Sequence, residues 1–159
     1  MGFEIDHFRP QNGACARPDL KAVYSNLYWS CRECNSNKGD VWPNPQDFEL
    51  GLCFIDSCTA DGDHEKHWRF LPNGEIEALT LSGEYTEEKL LLWRPILVAR
   101  RKQQFQDVEE GEAIRGILMG KIVDSEELSI LNKRLSEIET RLQPHVFDRA
   151  RRNSRPATD

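Results

Sequence analysis

The chain has 159 residues, of which 38% are hydrophobic and 30% are charged, and its formal net charge is −6. This composition is ordinary for a soluble globular protein of one domain, or of a small domain with an appendage. It excludes a membrane-spanning protein, because no run approaches the roughly eighteen apolar residues of a transmembrane helix. The first residues, MGFEIDHF, match neither a secretory signal nor an acylation motif, so we expect a cytoplasmic protein without a membrane partner.

The acidic charge is concentrated in the middle of the chain. Residues 1–42 contain five basic and five acidic side chains, residues 43–93 three and eleven, and residues 94–159 thirteen and eleven. The three segments therefore have net charges of 0, −8 and +2. If the ligand is a nucleic acid, phosphate contacts near the N-terminus would come from Arg9, Arg32 and Lys38. This set of cations is small, so the sequence predicts only modest affinity of this chain alone for nucleic acid.

The stretch Glu4–Trp42 has the pattern of two short strands followed by a helix. Apolar and polar residues alternate in Ile5–Phe8 and again in Leu27–Trp29, with a Pro-, Asn- and Gly-containing loop between them. The alternation stops at Cys31, where a helix is expected to begin, and Gly39 is expected to end it. The sequence therefore predicts a β-hairpin that packs against a short helix.

Such a unit would bring side chains of three chemical kinds together. Asp6 and His7 stand at the end of the first predicted strand, and Asn35 stands in the first turns of the predicted helix. A carboxylate and an amide oxygen are ligands for a hard divalent ion, and an imidazole is a general base that deprotonates water. These are the groups that hydrolysis of a phosphodiester requires.

The runs EIDHFRP and YSNLYWSCRECNSNKGD resemble the core of HNH endonucleases, which have the ββα-metal fold. They are most similar to the bacterial HNH proteins of retron and Septu anti-phage systems. The resemblance implies that Asp6 is a metal ligand, that His7 is the general base and that Asn26 braces the loop and orients the histidine. Asn35 stands where the family has its last His, the second metal ligand, so the chain is an HNN variant.

The resemblance also bears on cofactor and partners. Exchanging an imidazole nitrogen for the amide oxygen of Asn35 should shift the metal preference from Zn²⁺ or Ni²⁺ toward Mg²⁺ or Mn²⁺. Similar proteins often work beside an ATPase, which implies an ATPase partner docked on the C-terminal helices. DNA is a more favoured substrate than RNA or tRNA, but neither the substrate nor the oligomeric state follows from the sequence.

Cys31 and Cys34 have the two-residue spacing of half a structural zinc site. Similar proteins commonly carry a first Cys-x-x-Cys upstream of the Asp-His pair, and here only three residues precede Glu4. Three alternatives stay open: a reading frame that starts earlier, no zinc at all, or a site completed from elsewhere in the chain. The candidates for completing it are Cys15, Cys53, Cys58, His64 and His67.

The remainder of the chain has weaker signals. An Asn73-Gly74 turn predicts a second hairpin, after an irregular connection. Helices are expected from Thr86, from Pro95 and, capped by Asp124, over an apolar stripe that ends at Pro144. Whether the second of these helices restarts beyond Gly111 is left open. The four tryptophans are expected to pack in the core and not to stack on bases.

Together these features predict an α+β protein with a ββα-metal (His-Me finger) core, a second short hairpin and a C-terminal helical half. The expected segments are 1–45 for the nuclease core, 46–85 for the connection and hairpin, 86–145 for the helices and 146–159 for a disordered tail. The predicted function is that of a metal-dependent HNH endonuclease. The alternative is a non-catalytic zinc-knuckle subunit for nucleic-acid binding or assembly.

Overall fold

The computed structural model describes residues 2–59, 64–120 and 122–152, with side chains as far as residue 142. The predicted α+β class is confirmed, with 56% helix and 12% strand, and the strands form two small antiparallel hairpins. In the described ranges, no helix combines the length and the apolar character needed to cross a bilayer.

The chain divides into two compact units. The first comprises Met1–Leu71 and Glu75–Val98, and the second comprises Pro72–Gly74 and Ala99–Asp159. The predicted segments 1–45 and 46–85 therefore belong to one unit, except for Pro72–Gly74 at the tip of the second hairpin.

The predicted first hairpin and helix are present. Strand β1 (Phe3–His7) pairs antiparallel with β2 (Leu27–Cys31), with Asp6 opposite Tyr28 and His7 opposite Leu27. Helix α1 (Arg32–Lys38) follows β2 directly and ends at Gly39, whose φ of 48° lies in the left-handed region that glycine tolerates. Local alternation and a helix stop signal were thus sufficient to place these elements.

A row of aromatic rings forms the interior of the first unit. Phe8 contacts Tyr28 and Trp42, with ring centroids 5.3 Å and 5.1 Å apart, and Trp42 in turn contacts Phe54 at 5.9 Å. Phe54 is buried and meets Tyr85 edge-on at 5.1 Å. Offset and edge-to-face contacts of this kind stabilise beyond simple area burial, so this row fixes the hairpin to the elements that follow it.

Two short helices occupy the stretch predicted to be irregular. They are α2 (Pro45–Glu49) and α3 (His64–His67). Asn44 caps α2 by accepting a hydrogen bond from the Asp47 N–H at 2.9 Å, and Pro45 takes the first helical position. The Pro43-Asn44-Pro45 run lies at the start of the connection that the sequence predicted to be irregular. An Asn followed by Pro is a helix start, because the cap oxygen and the fixed proline φ both favour one.

The second hairpin is confirmed. Strand β3 (Trp68–Phe70) pairs with β4 (Ile76–Ala78), and Gly74 takes a φ of 88° in the turn between them. Trp68 is buried, as expected for a tryptophan that packs in the core. Its indole N–H donates to the Gly83 carbonyl at 3.1 Å. The same expectation is wrong for Trp29 and Trp93, which are largely exposed.

The first helix of the C-terminal part begins earlier than predicted. Helix α4 spans Leu81–Leu90, with Thr80 as its cap, where the prediction had a start at Thr86. The Thr80 hydroxyl accepts a hydrogen bond from the Gly83 N–H at 3.1 Å. Ser82 and Gly83 are poor helix formers, but the side-chain cap compensates for them in the first turn.

Two long helices complete the chain. Helix α5 (Pro95–Gly120) begins at the predicted proline and continues through Gly111 without a restart. Helix α6 (Ser125–Arg152) is capped by Asp124, as predicted, but it runs past Pro144. The predicted end at Pro144 and the tail from residue 146 are therefore wrong as far as Arg152. A proline removes one backbone hydrogen bond and does not always end a helix. Residues 153–159 lie outside the described residues.

In the second unit, α5 and α6 pack around a small apolar centre. Ile138 of α6 is fully buried and Ile114 of α5 nearly so. Gly111 lies against this centre, since a Cβ there would meet the Ile138 side chain at 3.5 Å. Around it, arginines of the two helices pair with acidic residues, among them Arg141 with Asp107 and Arg134 with Glu110.

Candidate active site

A largely enclosed ion pair lies between β1 and α1. The Lys38 ammonium donates to Asp6 Oδ1 at 2.8 Å and to the His7 carbonyl at 2.6 Å. The side chains of Lys38 and Asp6 are only 4% and 13% exposed. Because a buried charge is costly without a partner, this pair fixes the end of β1 to the last turn of α1.

Glu4 holds the amide of Asn35. Side chains two residues apart in a strand share a face, so Glu4 and Asp6 both point toward α1. Asn35 Nδ2 donates to Glu4 Oε2 at 3.1 Å, and Arg32 Nε donates to Glu4 Oε1 at 2.8 Å. The Arg32 hydrogen bond, and then that of Asn35, lower the pKa of Glu4. Sequence reasoning missed Glu4, although its position two residues before Asp6 was the available signal.

His7 has a polar contact at each ring nitrogen. Nε2 lies 2.9 Å from the Lys21 carbonyl oxygen, and Nδ1 lies 3.1 Å from the Gln11 side-chain amide nitrogen. A carbonyl only accepts, so in the neutral ring Nε2 carries the proton and Nδ1 keeps its lone pair. This tautomer leaves Nδ1 as the nitrogen that can take a proton from water.

Asn26 closes the loop that holds His7. Its side chain is buried, and its Oδ1 accepts from the Arg9 N–H at 2.7 Å. Its Nδ2 donates to the carbonyls of Arg9 at 3.1 Å and Leu20 at 3.3 Å. Leu20 directly precedes Lys21, whose carbonyl contacts His7. The loop-bracing contacts expected of Asn26 are therefore present, and its effect on the orientation of His7 stays a prediction.

The three cations predicted to bind phosphate have different environments. The Arg9 guanidinium lies over the Trp42 ring, 4.4 Å from its centroid, and its buried Nε has no hydrogen-bond partner in the described part of the chain. Arg32 is exposed but paired with Glu4. Lys38 is enclosed and already neutralises Asp6, which argues against the phosphate contact predicted for it, because an enclosed ammonium cannot reach an outside ligand.

The oxygen atoms at this interface suit a hard divalent ion. Asp6 Oδ1 accepts from Lys38, whereas no described residue hydrogen-bonds to Asp6 Oδ2 or to the side-chain oxygen of Asn35. Carboxylate and amide oxygens fit Mg²⁺ or Mn²⁺. Across the described ranges, however, no three His, Cys, Asp or Glu side chains are grouped as a metal site. The Lys38 ammonium on Asp6 is a competing cation for any bound metal.

Cys34 contacts an arginine, and its backbone contacts Cys31. Arg94 Nη2 lies 3.1 Å from Cys34 Sγ, and its Nη1 lies 3.5 Å from the Glu33 carboxylate. The Cys34 N–H donates to Cys31 Sγ at 3.3 Å. No sequence signal pointed to Arg94, because it lies sixty residues beyond Cys34.

The other residues considered as zinc ligands are found elsewhere. His67 is buried with Nδ1 against the Thr80 hydroxyl at 2.7 Å, and Cys53 Sγ lies 3.3 Å from the Ser82 hydroxyl. Cys58 is exposed, and Cys15 and His64 are partly buried. Residues 60–63, between Cys58 and His64, lie outside the described residues.

Comparison with known proteins adds no relative to this picture. A scan against models of protein families finds no match, and searches of curated proteins and of solved structures find no significant similarity.

Proposed function

We propose that this chain is a metal-dependent endonuclease of the HNH type, which hydrolyses phosphodiester bonds in nucleic acid, with DNA as the favoured substrate. The observation that supports the proposal most is the tautomer of the His7 ring. The Lys21 carbonyl holds Nε2 as the donor, so that Nδ1 is available as a base at the end of the strand that also carries Asp6. A histidine fixed in one tautomer by a backbone carbonyl is a common arrangement for proton transfer.

In this proposal the chain supplies a base and two metal ligands. His7 Nδ1 takes the proton of the attacking water, and the imidazolium that forms keeps its hydrogen bond to the Lys21 carbonyl. Asp6 and Asn35 hold a divalent ion through their oxygens. When bound, the ion supplies Lewis-acid stabilisation of the phosphate and of the leaving oxygen. Glu4 orients the Asn35 amide by accepting from its Nδ2, which turns the amide oxygen away from Glu4.

Gln11 occupies the basic nitrogen of His7 in this structure. Its amide donates to Nδ1 at 3.1 Å, the position that a nucleophilic water would take. For hydrolysis the Gln11 side chain has to move aside, so the structure corresponds to a resting arrangement of the proposed site.

The charge distribution favours a partner in this proposal. Arg9 and Arg32 are engaged by Trp42 and Glu4, and Lys38 is enclosed, so few cations near His7 are available for phosphate. Affinity for nucleic acid depends strongly on such cations. We therefore infer that a second subunit, for which an ATPase of an anti-phage system is the candidate, supplies much of the binding.

One observation favours a second candidate, a non-catalytic nucleic-acid-binding or assembly subunit. Lys38 already neutralises Asp6, so the carboxylate charge is balanced without a metal ion. A protein that had lost catalysis could keep this ion pair for stability alone. Metal-dependent cleavage separates the two candidates.

The test is cleavage of supercoiled plasmid, and of single-stranded DNA and RNA, with Mg²⁺, with Mn²⁺ or with a chelator. Wild-type protein should nick at least one substrate with metal, and His7→Ala should be slower by about 10²- to 10⁴-fold. His64→Ala, a matched histidine variant outside the site, should cleave like wild type. Equal rates for His7→Ala and wild type would contradict the proposal, and absence of cleavage by wild type on every substrate would favour the second candidate.

A further inference from the structure

Cys31, Cys34 and Arg94 form a small cluster that the proposed hydrolysis does not use. Arg94 Nη2 donates to Cys34 Sγ at 3.1 Å, and the Cys34 backbone N–H donates to Cys31 Sγ at 3.3 Å. Both thiols are only partly buried. The cluster thus combines two accessible sulfur atoms with a cation that contacts one of them.

The environment of Arg94 calls for an anionic partner. Its side chain is only 13% exposed, and its buried Nε has no hydrogen-bond partner among the described residues. The Glu33 carboxylate is 3.5 Å away but largely in solvent, so it neutralises the guanidinium only weakly. A thiolate at Cys31 or Cys34 would complete the pairing, because a buried guanidinium is costly without a negative partner.

The two thiols are not equivalent. Cys31 stands at the cap position of α1, where its Sγ accepts the Cys34 backbone N–H at 3.3 Å. Cys34 lies inside the first turn of α1, with its Sγ against Arg94. A backbone N–H donor at a helix start favours the thiolate, so the geometry gives Cys31 the attacking role and leaves Cys34 as the resolving sulfur.

We propose that Cys31 and Cys34 are an oxidisable dithiol, with Cys31 as the attacking sulfur, Cys34 as the resolving sulfur and a hydroperoxide as the oxidant. The Cys31 thiolate attacks the terminal peroxide oxygen, the O–O bond breaks, and hydroxide (for hydrogen peroxide) leaves as Cys31 becomes a sulfenic acid. Cys34 sulfur then attacks the Cys31 sulfur, forms the disulfide and displaces the sulfenic oxygen as water with the Cys34 proton. Two thiols and one hydrogen peroxide thus yield one disulfide and two waters.

Oxidation would change what Arg94 contacts. A disulfide sulfur is uncharged and a poor acceptor, so the contact between Arg94 and Cys34 Sγ at the start of α1 would weaken. Helix α1 also carries Asn35 and Lys38. An effect of oxidation on cleavage therefore rests on the proposed function, whereas the dithiol chemistry does not.

The test is titration of the full chain with hydrogen peroxide, read by intact mass and by mapping of cysteine peptides. We expect a loss of two hydrogen atoms, a Cys31–Cys34 crosslink and recovery with dithiothreitol. Cys58 is the internal control, because it is the more exposed thiol and exposure alone would make it react first. In Cys34→Ser, Cys31 should gain one oxygen atom and be captured by a sulfenic-acid probe. Oxidation of Cys58 ahead of Cys31, or no crosslink, would overturn the proposal.

Variants of the cation test the role of Arg94. Arg94→Met should slow formation of the Cys31–Cys34 disulfide by about tenfold or more, because the pair loses the cation that contacts Cys34. Arg69→Met, which removes another arginine paired with a glutamate, is the matched control and should react like wild type. If Arg94→Met does not fold, Glu33→Gln replaces it, since Glu33 is exposed and its removal leaves Arg94 to the thiols alone. That variant should react as fast as wild type or faster, and slower reaction would count against the proposal.

Discussion

Each unit of the molecule contains an ion pair with an aspartate that is largely or fully enclosed, and the two pairs differ in which carboxylate oxygens have hydrogen-bond partners. In the second unit, Asp107 is 3% exposed and accepts from Arg141 through both oxygens, at 2.8 Å and 3.0 Å, with a further bond from Gln103. In the first unit, Asp6 accepts from Lys38 through Oδ1 alone, and both side chains are enclosed.

This difference separates a structural pair from a candidate site. Asp107 has complete hydrogen bonding from a two-pronged guanidinium that reaches in from solvent, with Arg141 still 41% exposed. Asp6 has one oxygen that no described residue engages, beside a strand end that carries His7. A buried carboxylate that is only partly satisfied is where an additional cation gains most. The two pairs should therefore respond differently when a partner is removed or a metal is added.

The largest effect is expected for Lys38→Met. This variant leaves the largely enclosed Asp6 carboxylate without a counter-charge, which should lower the free energy of unfolding by about 3 kcal/mol. Urea denaturation measures this loss. If Asp6 is a metal ligand, Mn²⁺ or Mg²⁺ should restore part of the stability of Lys38→Met, and should raise the melting temperature of wild type much less.

The double variant Asp6→Asn with Lys38→Met is the control for metal binding by Asp6, because it removes both charges. It should be more stable than Lys38→Met alone and should not respond to the metal. A Lys38→Met protein whose stability is the same with and without metal would show that Asp6 is not a metal ligand and that its pair resembles that of Asp107.

A smaller effect is expected for Asn26→Ala in the first unit. The variant removes three hydrogen bonds and leaves the Arg9 N–H and the carbonyls of Arg9 and Leu20 without that partner. The cost should be about 2 kcal/mol, measured by urea denaturation. Because the loop carries the Lys21 carbonyl, the His7 ring nitrogens should also change their NMR shifts, even in folded protein. Unchanged His7 shifts would confine Asn26 to a role in stability.

The smallest effect is expected for Asp107→Asn in the second unit. The Asn amide oxygen still accepts a hydrogen bond from Arg141, and the half-exposed guanidinium can hydrogen-bond to water. The free energy of unfolding should therefore fall by only about 1 kcal/mol at neutral pH. Metal ions should not change it. If Asp107→Asn lowered the free energy of unfolding as much as Lys38→Met does, the solvent exposure of Arg141 would not be what limits the destabilisation.

The same variant should show a pH dependence. The hydrogen bond from Arg141 is the main cause that holds the pKa of Asp107 below its ordinary value. A carboxylate with a lowered folded-state pKa favours folding above its unfolded-state pKa, and this contribution is lost as the pH falls through the folded-state value. The stability difference between wild type and Asp107→Asn should therefore shrink below about pH 4. Denaturation at several pH values checks this, and a constant difference would contradict it.

Much of the fold followed from local patterns. The two strands, helix α1, the Asn73-Gly74 hairpin, the helix start at Pro95 and the Asp124 cap were predicted because alternation, turns and caps act within a few residues. Helix α2 and the early start of α4 were missed although their signals are equally local, at Asn44 and Thr80. The passage of α6 through Pro144 has no local signal.

The sequence by itself determined which groups gather at the β1–α1 interface, but not how they pair. It brought Asp6, His7, Asn35 and Lys38 into one unit, whereas the tertiary structure placed Lys38 on Asp6 and Glu4 on Asn35. The choice between two carboxylates on one strand face depends on burial and on distances of a few ångströms, which periodicity does not encode. The contact of Arg94 with Cys34 likewise exists only because the folded chain brings residues sixty positions apart together.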